Sequence, residues 1–316
     1  MKNLKRILAF LLFVIIGASL AFWKKDIPLD QLTGKYTNAN SKFIAVSGAF
    51  VHYQDNNRSL ADSLPLVLIH GTGASLHTWL PWVKGLSNKR VITLDLPAYG
   101  LTGPNASSDY STKKYVETVD SLLIKLNVKR CILGGNSLGG NVSWNFAVAH
   151  PEKVAKLILV DAAGYKLKST SVPIAFRLAR IPVLNNMLKY ITPRFIIEKS
   201  VKNVYADESK VSEALITRYF DLTLREGNRQ AFVERMYNPK NTIENLSASE
   251  QIKTIKVPTL VLWGDQDRLI PLQNAEKFHD DLPNDTLVVL KNLGHVPMEE
   301  DPAATLAVVK KFIGYK

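Results

Sequence analysis

The sequence predicts an α/β fold in which a mostly parallel sheet is flanked by helices and interrupted by an inserted helical cap. Three observations lead there. Short runs that are apolar on both faces, "LVLIH" (66–70), "RVITLD" (90–95), "RCILG" (130–134) and "KLILVD" (156–161), are separated by helical patterns, which is how buried parallel strands read. The alternation stops after Asp161 and resumes at "PTLVLWGD" (258–265), with helical apolar spacing over residues 164–250 in between. A chain of 316 residues with 46% hydrophobic residues is long enough to bury one large core with an insertion.

At the N-terminus, "MKNLKR" supplies positive charge, and residues 7–22, "ILAFLLFVIIGASLAF", form a 16-residue run free of charge. This is a targeting segment, between a signal-peptide core and a comfortable membrane span in length. Ser19-Leu20-Ala21 resembles a small-x-small cleavage site, whereas Trp23 followed by Lys24 and Lys25 resembles an interfacial anchor. Residues 1–25 are therefore expected to act as a signal or anchor. The rest is expected in the cell envelope, membrane-anchored, or secreted if the segment is removed. A polar linker over residues 24–40 leads to "KFIAV" and "FVHYQ", which flank Ser47-Gly48-Ala49 as a hairpin. After "PTLVLWGD" come a helix from about Pro271, the strand "DTLVVL" (285–290) and a last helix over 302–313. The expected organisation is a core of residues 26–163 and 251–316 around a cap of residues 164–250.

The formal net charge of +12 would permit a polyanionic partner, but no basic run of five residues appears and no aromatic-basic interleaving. Nucleic acid is excluded on that ground. The single cysteine, Cys131, lies inside an apolar strand; one thiol makes neither an internal disulfide nor a cysteine metal site.

The chemistry centres on "LGGNSLGGNV" (133–142), four glycines and one serine between a strand and a helical pattern. "GNSLG" fits the G-x-S-x-G elbow, where glycines permit close strand–helix contact and a strained nucleophile. By itself the pattern is equally a glycine-rich turn with an idle serine. A serine hydroxyl needs an adjacent base, itself oriented by a carboxylate. Enzymes of this topology supply them in the order serine, acid, histidine. Asp267, in "WGDQDRLIP", and His295, in "LGHVPMEEDP", each follow a predicted strand and so share the sheet edge of Ser137. "HGTGAS" (70–75) follows the "LVLI" strand. The backbone N–H groups of Thr72 on this loop and of Leu138 after the serine are the expected donors to an oxyanion. His70, just before the turn, reads as a loop brace rather than a base.

These landmarks resemble the α/β-hydrolases. "LIHGTGAS", "TLDLPAYGLTGP", "GGNSLGG", "HPEKVAKLILVDAAG", "LWGDQDRLIP" and "GHVPMEEDP" occur in the expected order over residues 42–316. "GNSLGG" with "LILVDAAG" is similar to bacterial lipases and esterases of lipolytic family V, and carbon–carbon bond hydrolases of meta-cleavage pathways share much of the pattern. The resemblance implies a serine hydrolase that needs no metal or organic cofactor, with Ser137, Asp267 and His295 as its triad. The W-G-x-x-D spacing of the family favours Asp267 over Asp265, with Asp161 as the fallback acid. Relatives carry glycine where this chain has Ala98, so the local turn is expected to differ. A carboxylate-requiring epoxide hydrolase or dehalogenase is excluded by the serine.

The other histidines read blandly: His77 as a packed loop residue, and His52, His150 and His279 without a role. Phe176, Leu184 and Phe195 of the cap read as helix-packing core first and pocket lining second. From Tyr165 to Lys240 there are 14 Lys and Arg against 7 Asp and Glu, either a solvated face or an attraction to anionic membrane. The expected function is hydrolysis of a small-molecule or lipid ester. A carbon–carbon hydrolase is the rival enzyme, and a catalytically idle binding protein of this fold the rival class.

Overall fold

The computed structural model describes residues 6, 17, 22–60, 64–166, 168–238 and 247–315. Apart from Gly17 and Phe22, the apolar run 7–22 lies outside them. Among the described residues no helix is long and apolar enough to cross a membrane.

Among the described residues eight strands form one sheet: β1 (Ser41–Val46), β2 (Ala49–Asn56), β3 (Leu66–Ile69), β4 (Val91–Leu94), β5 (Cys131–Asn136), β6 (Val154–Val160), β7 (Thr259–Gly264) and β8 (Asp285–Leu290). Their spatial order is β1-β2-β4-β3-β5-β6-β7-β8. The β1/β2 hairpin and the β2/β4 pair are antiparallel, and every pairing from β4 onward is parallel. Alternate residues serve opposite faces. Val67, Ile69, Leu133 and Leu159 join one buried cluster, whereas Leu66, Leu68, Ile132 and Ile158 join the other. A strand covered on both faces needs apolar residues at every position, which is why these runs do not alternate in sequence.

In the first half lie α1 (Leu29–Tyr36), α2 (Leu80–Gly85), α3 (Thr112–Lys125) and α4 (Leu138–Ala149). Between β6 and β7 the described residues form six helices, α5 (Ile174–Ala179), α6 (Leu184–Leu188), α7 (Arg194–Asn203), α8 (Glu213–Leu224), α9 (Asn228–Tyr237) and α10 (Ala248–Ile252). The chain closes with α11 (Gln273–Asp281), α12 (Pro297–Glu300) and α13 (Pro302–Ile313).

Two expectations are corrected here. Residues 24–40 are not a free linker: Leu29, Leu32 and Tyr36 make an apolar stripe on α1 that packs with Leu101 and Leu222. Tyr36 donates to Asp221 (2.7 Å), and Arg229 grips Asp26 (2.6 Å), so this segment straps the core to the inserted helices. Leu184 and Phe195 are exposed rather than helix-packing core. Phe176, by contrast, packs against the core and lines the central pocket.

Candidate active site

Ser137 sits between β5 and α4 at φ 54° and ψ −114°, a conformation that costs on the order of 1–3 kcal/mol for a non-glycine residue and persists only if its surroundings impose it. They do. The Ser137 N–H donates to the Val160 carbonyl (3.1 Å), and its own carbonyl accepts from Asn141 and Ala163 (3.0 and 3.1 Å). A Cβ on Gly135 would lie 2.3 Å from the Gly139 backbone, and one on Gly139 would lie 2.0 Å from the Ile69 carbonyl oxygen. The glycines that flank the serine are thus required by strand–helix contact, and they turn its side chain into the pocket.

Asp267 and His295 follow β7 and β8. The Asp267 Oδ1 accepts from the N–H groups of Leu269 and Ile270 (2.8 and 2.9 Å), leaving Oδ2 to accept from His295 Nδ1 at 2.7 Å. That leaves the other ring nitrogen of His295 for the pocket, which Ser137 and His295 line together. Asp265 instead accepts from the Asn292 N–H (2.7 Å) and pairs with Lys291, away from the histidine. Asp161, the fallback, accepts from the Gly264 N–H (3.0 Å) beside the pair. Burial, and then the charge of Asp267, push its carboxyl well above the usual range, so it stays a neutral acid. Ligand atoms of Asp161, Asp267 and His295 lie within 4.8 Å of one another, the set a metal could use among the described residues. The His295 nitrogen on that side is already engaged by Asp267.

The opposite wall is the loop after β3. Gly71 and Thr72 line the pocket, and a Cβ on Gly71 would meet Asn136 Oδ1 at 2.8 Å. Leu138 is fully buried at the start of α4, where unpaired helix N–H groups gather. His70 braces this loop: its Nδ1–H donates to the Gly71 carbonyl (2.7 Å), and its Nε2 accepts from the Leu96 N–H (3.0 Å). Those two bonds define a neutral imidazole, and burial lowers its pKa accordingly. Beneath it lies Asp95, which accepts from His52 Nδ1–H (2.7 Å) and from the N–H groups of Leu76 and Leu101. Burial pushes its carboxyl up, but His52 and the histidines beyond it win and hold it at about 2. His52 therefore has a structural role that the sequence did not suggest. His77 is packed as expected, bonded to the Tyr36 carbonyl (2.9 Å), while His279 is exposed on Asp285 and His150 rests on Phe146.

Ala98 has φ 80° and lines the pocket, a backbone conformation that a residue with a Cβ holds only at a cost in strain.

Two contributors go beyond the residues singled out from the sequence. Asn136 donates from Nδ2 to the His295 carbonyl (2.9 Å) and the Val160 carbonyl (3.2 Å), tying the histidine loop to the sheet. Glu300 accepts from Gly294 (2.8 Å), Ala206 (3.1 Å) and Asp207 (2.8 Å), while the His295 N–H donates to Val204 (2.8 Å). The segment after α7 is thereby clamped to the loop that carries His295. The only hint was the pair of glutamates closely following that histidine.

A strained serine that shares its pocket with a carboxylate-oriented histidine, at the edge of a parallel sheet, is the arrangement that nucleophilic hydrolysis uses. Residues 65–302 match the family model described as the alpha/beta hydrolase fold. The chain belongs to that family. It is 28% identical to the 2-hydroxy-6-oxo-2,4-heptadienoate hydrolase of Pseudomonas putida, over 88% of this chain and 98% of that one. It is also 28% identical to Lipase 3 of a Moraxella species, over 92% of this chain and 85% of that one. Among solved structures, a membrane phospholipase A described as a bacterial virulence factor aligns with TM-score 0.71 and 25% identity, covering 99% of this chain and 98% of its own. The protein is a hydrolase of the α/β fold.

Proposed function

We propose that this hydrolase cleaves carboxylic esters of apolar acyl chains through an acyl-enzyme on Ser137. His295 takes the Ser137 proton as the oxygen attacks the ester carbon, and Asp267 holds the imidazole and offsets its charge. The Thr72 and Leu138 N–H groups receive the oxyanion. His295 then protonates the leaving alcohol, and water, deprotonated by the same histidine, releases the acid. No metal or organic cofactor enters this scheme. The observation that carries the reading is the pocket over Ser137. Its empty space, open mouth included, is about 910 Å³, and its walls include Phe176, Ile197, Val201, Leu222, Phe232 and Leu269. His295 is the one titratable imidazole on that wall, and among the described residues no lysine, arginine, aspartate or glutamate lines it.

The similarity to the Pseudomonas putida enzyme favours a second reading, carbon–carbon bond hydrolysis. A dienoate brings a carboxylate, however, and burying it without a cation is costly. Neither Arg218, which is paired with Glu299, nor Arg235, which lies against Tyr99 and Tyr115, lines the pocket. We further propose that residues 1–25 anchor the enzyme in the cell envelope. The charge-free run 7–22 and the near full-length similarity to a membrane phospholipase support this.

A fluorophosphonate should label the protein and fail to label Ser137→Ala, whose ester turnover should fall by roughly 10⁴–10⁶. Specificity constants for 4-nitrophenyl esters should rise about three- to fourfold per added methylene, following ~0.8 kcal/mol for each one buried, until the pocket is full. Turnover of a vinylogous diketo acid without turnover of esters would transfer the assignment to the second reading. An unlabelled serine would leave only a binding protein.

A further inference from the structure

We propose that the outer face of the inserted helices docks on the surface of an anionic bilayer, so that substrate reaches the pocket from the membrane through that layer. This rests on the envelope location proposed above. The observation is a concentration of exposed large apolar side chains along one stretch. Ile181 and Val183 precede α6, Tyr190 follows it, and Phe195 opens α7. The five-residue α6 separates the two ends by only about 8 Å. Phe22 and Trp23 join the same face. Trp23 stacks on Tyr190 at 5.3 Å and bridges to Ile191, and Phe22 meets Phe195 edge-on at 6.1 Å. Scattered exposed apolar residues need no explanation, whereas a continuous apolar face does.

Two features make the patch look built rather than left over. Val183 is 71% exposed yet held at φ 72°, in the left-handed region that β-branched residues avoid. Trp79, Trp82, Trp144 and Trp263 are all fully buried, and Trp23 alone among the tryptophans is exposed.

Charge and chain direction identify the occupant as lipid. Between Ser171 and Ser200 five basic residues face one acid, Glu198. Arg177, Arg180 and Lys199, with Lys24 and Lys25, make no ion pair among the described residues. Aromatic side chains mixed with unpaired cations suit the headgroup layer. The charge-free run ends at Phe22, so a bilayer holding that run would meet Trp23 and its stacking partner first. The same helices turn their other sides to the pocket, through Ala175 and Phe176 of α5 and Ile197 and Val201 of α7. An acyl chain leaving the bilayer would have one helical layer to pass.

The test uses the full-length chain in vesicles of mixed phosphatidylglycerol and phosphatidylcholine. Cys131 is buried, and burial pushes its thiol up to about 12, so an environment-sensitive dye coupled to Val183→Cys reports on the patch alone. Docking predicts a blue-shifted emission quenched by headgroup-proximal brominated lipid. An unshifted, unquenched dye in anchored protein overturns the proposal. So does a shift that appears without lipid and grows with protein concentration, which would assign the patch to a second copy of the chain. The double variant Ile181→Glu/Val183→Glu should keep its turnover of a soluble short-chain ester within about twofold, and lose about tenfold on an ester embedded in the vesicles. Equal turnover of the embedded ester also overturns it. The dye reading does not depend on catalysis, so failure of the ester assignment would be seen separately, as lost turnover with docking intact.

Discussion

Two strained regions of this molecule handle their strain in opposite ways. At the sheet edge, Ser137, Asp161 and Ala98 all have positive φ, all are buried, and their neighbours hold them in place. On the outer face of the inserted helices, Val183 is equally strained but stands in solvent with no described element packed over it. Strain in a core is sustained by packing and can serve chemistry. Strain on a surface, with exposed aromatics around it, points to a contact that completes the surface elsewhere. On the readings proposed above, the first region performs the reaction, and the second decides where it is performed.

The sharpest way to break the first half of that comparison is through its carboxylates. Asp267→Asn should lower turnover by about 10⁴, because an amide in that place favours the wrong histidine tautomer. Asp265→Asn, which only loosens the contacts with Asn292 and Lys291, should stay within about threefold. Steady-state kinetics on one soluble ester would check both. The reverse ranking would show that the orienting acid is misassigned.

A second, intermediate effect concerns pH. His70 and His77 have pKa values lowered chiefly by burial, and both are neutral in the fold. A base whose folded pKa is depressed takes up its proton more readily when unfolded. The stability it confers is therefore full above about 6.5 and lost as pH falls below that value, by up to about 1.4 kcal/mol per pH unit for each group. Asp95, held at about 2 against an ordinary 3.8, adds a second loss between about pH 4 and pH 2. Denaturant titrations from pH 8 to pH 3 should show a decline starting near 6.5 and steepening below 4. A flat profile between pH 7 and pH 5 would mean that these histidines are already solvated.

What the sequence made legible follows from the range of the interactions involved. Buried strands, the glycine elbow and the placement of Asp267 and His295 after strands are local patterns, so "LVLIH", "GNSLG" and "WGDQDRLIP" could be read directly. Asn136 could not, because its partner, the His295 carbonyl, is 159 residues away and only the fold brings them together. Glu300 reaches back some ninety residues to Ala206 and Asp207 in the same way. The short apolar stripe of α1 reads as linker because it has meaning only against partners distant in sequence, Leu101 and Leu222. Leu184 and Phe195 failed for the converse reason: helical spacing marks an apolar side but not whether protein covers it.

The smallest effect sharpens the contrast in strain. Replacing a positive-φ residue by glycine relieves about 1–2 kcal/mol of backbone strain but raises the entropy of the unfolded chain by about 0.4–1 kcal/mol. At Ala98 the substitution also empties the space of a buried methyl group, so Ala98→Gly should change stability by no more than about 0.5 kcal/mol. At Val183 little burial is lost, the residue precedes α6 where glycine is tolerated, and the side chain is β-branched. Val183→Gly should therefore stabilise the protein by about 1 kcal/mol, read as a higher urea midpoint with unchanged slope. The same variant should bind anionic vesicles less well, since an apolar contact is gone from the docking face. A fall in stability of 1 kcal/mol or more at Val183 would show that the valine is held by protein contacts, and the distinction between packed and unpacked strain would collapse.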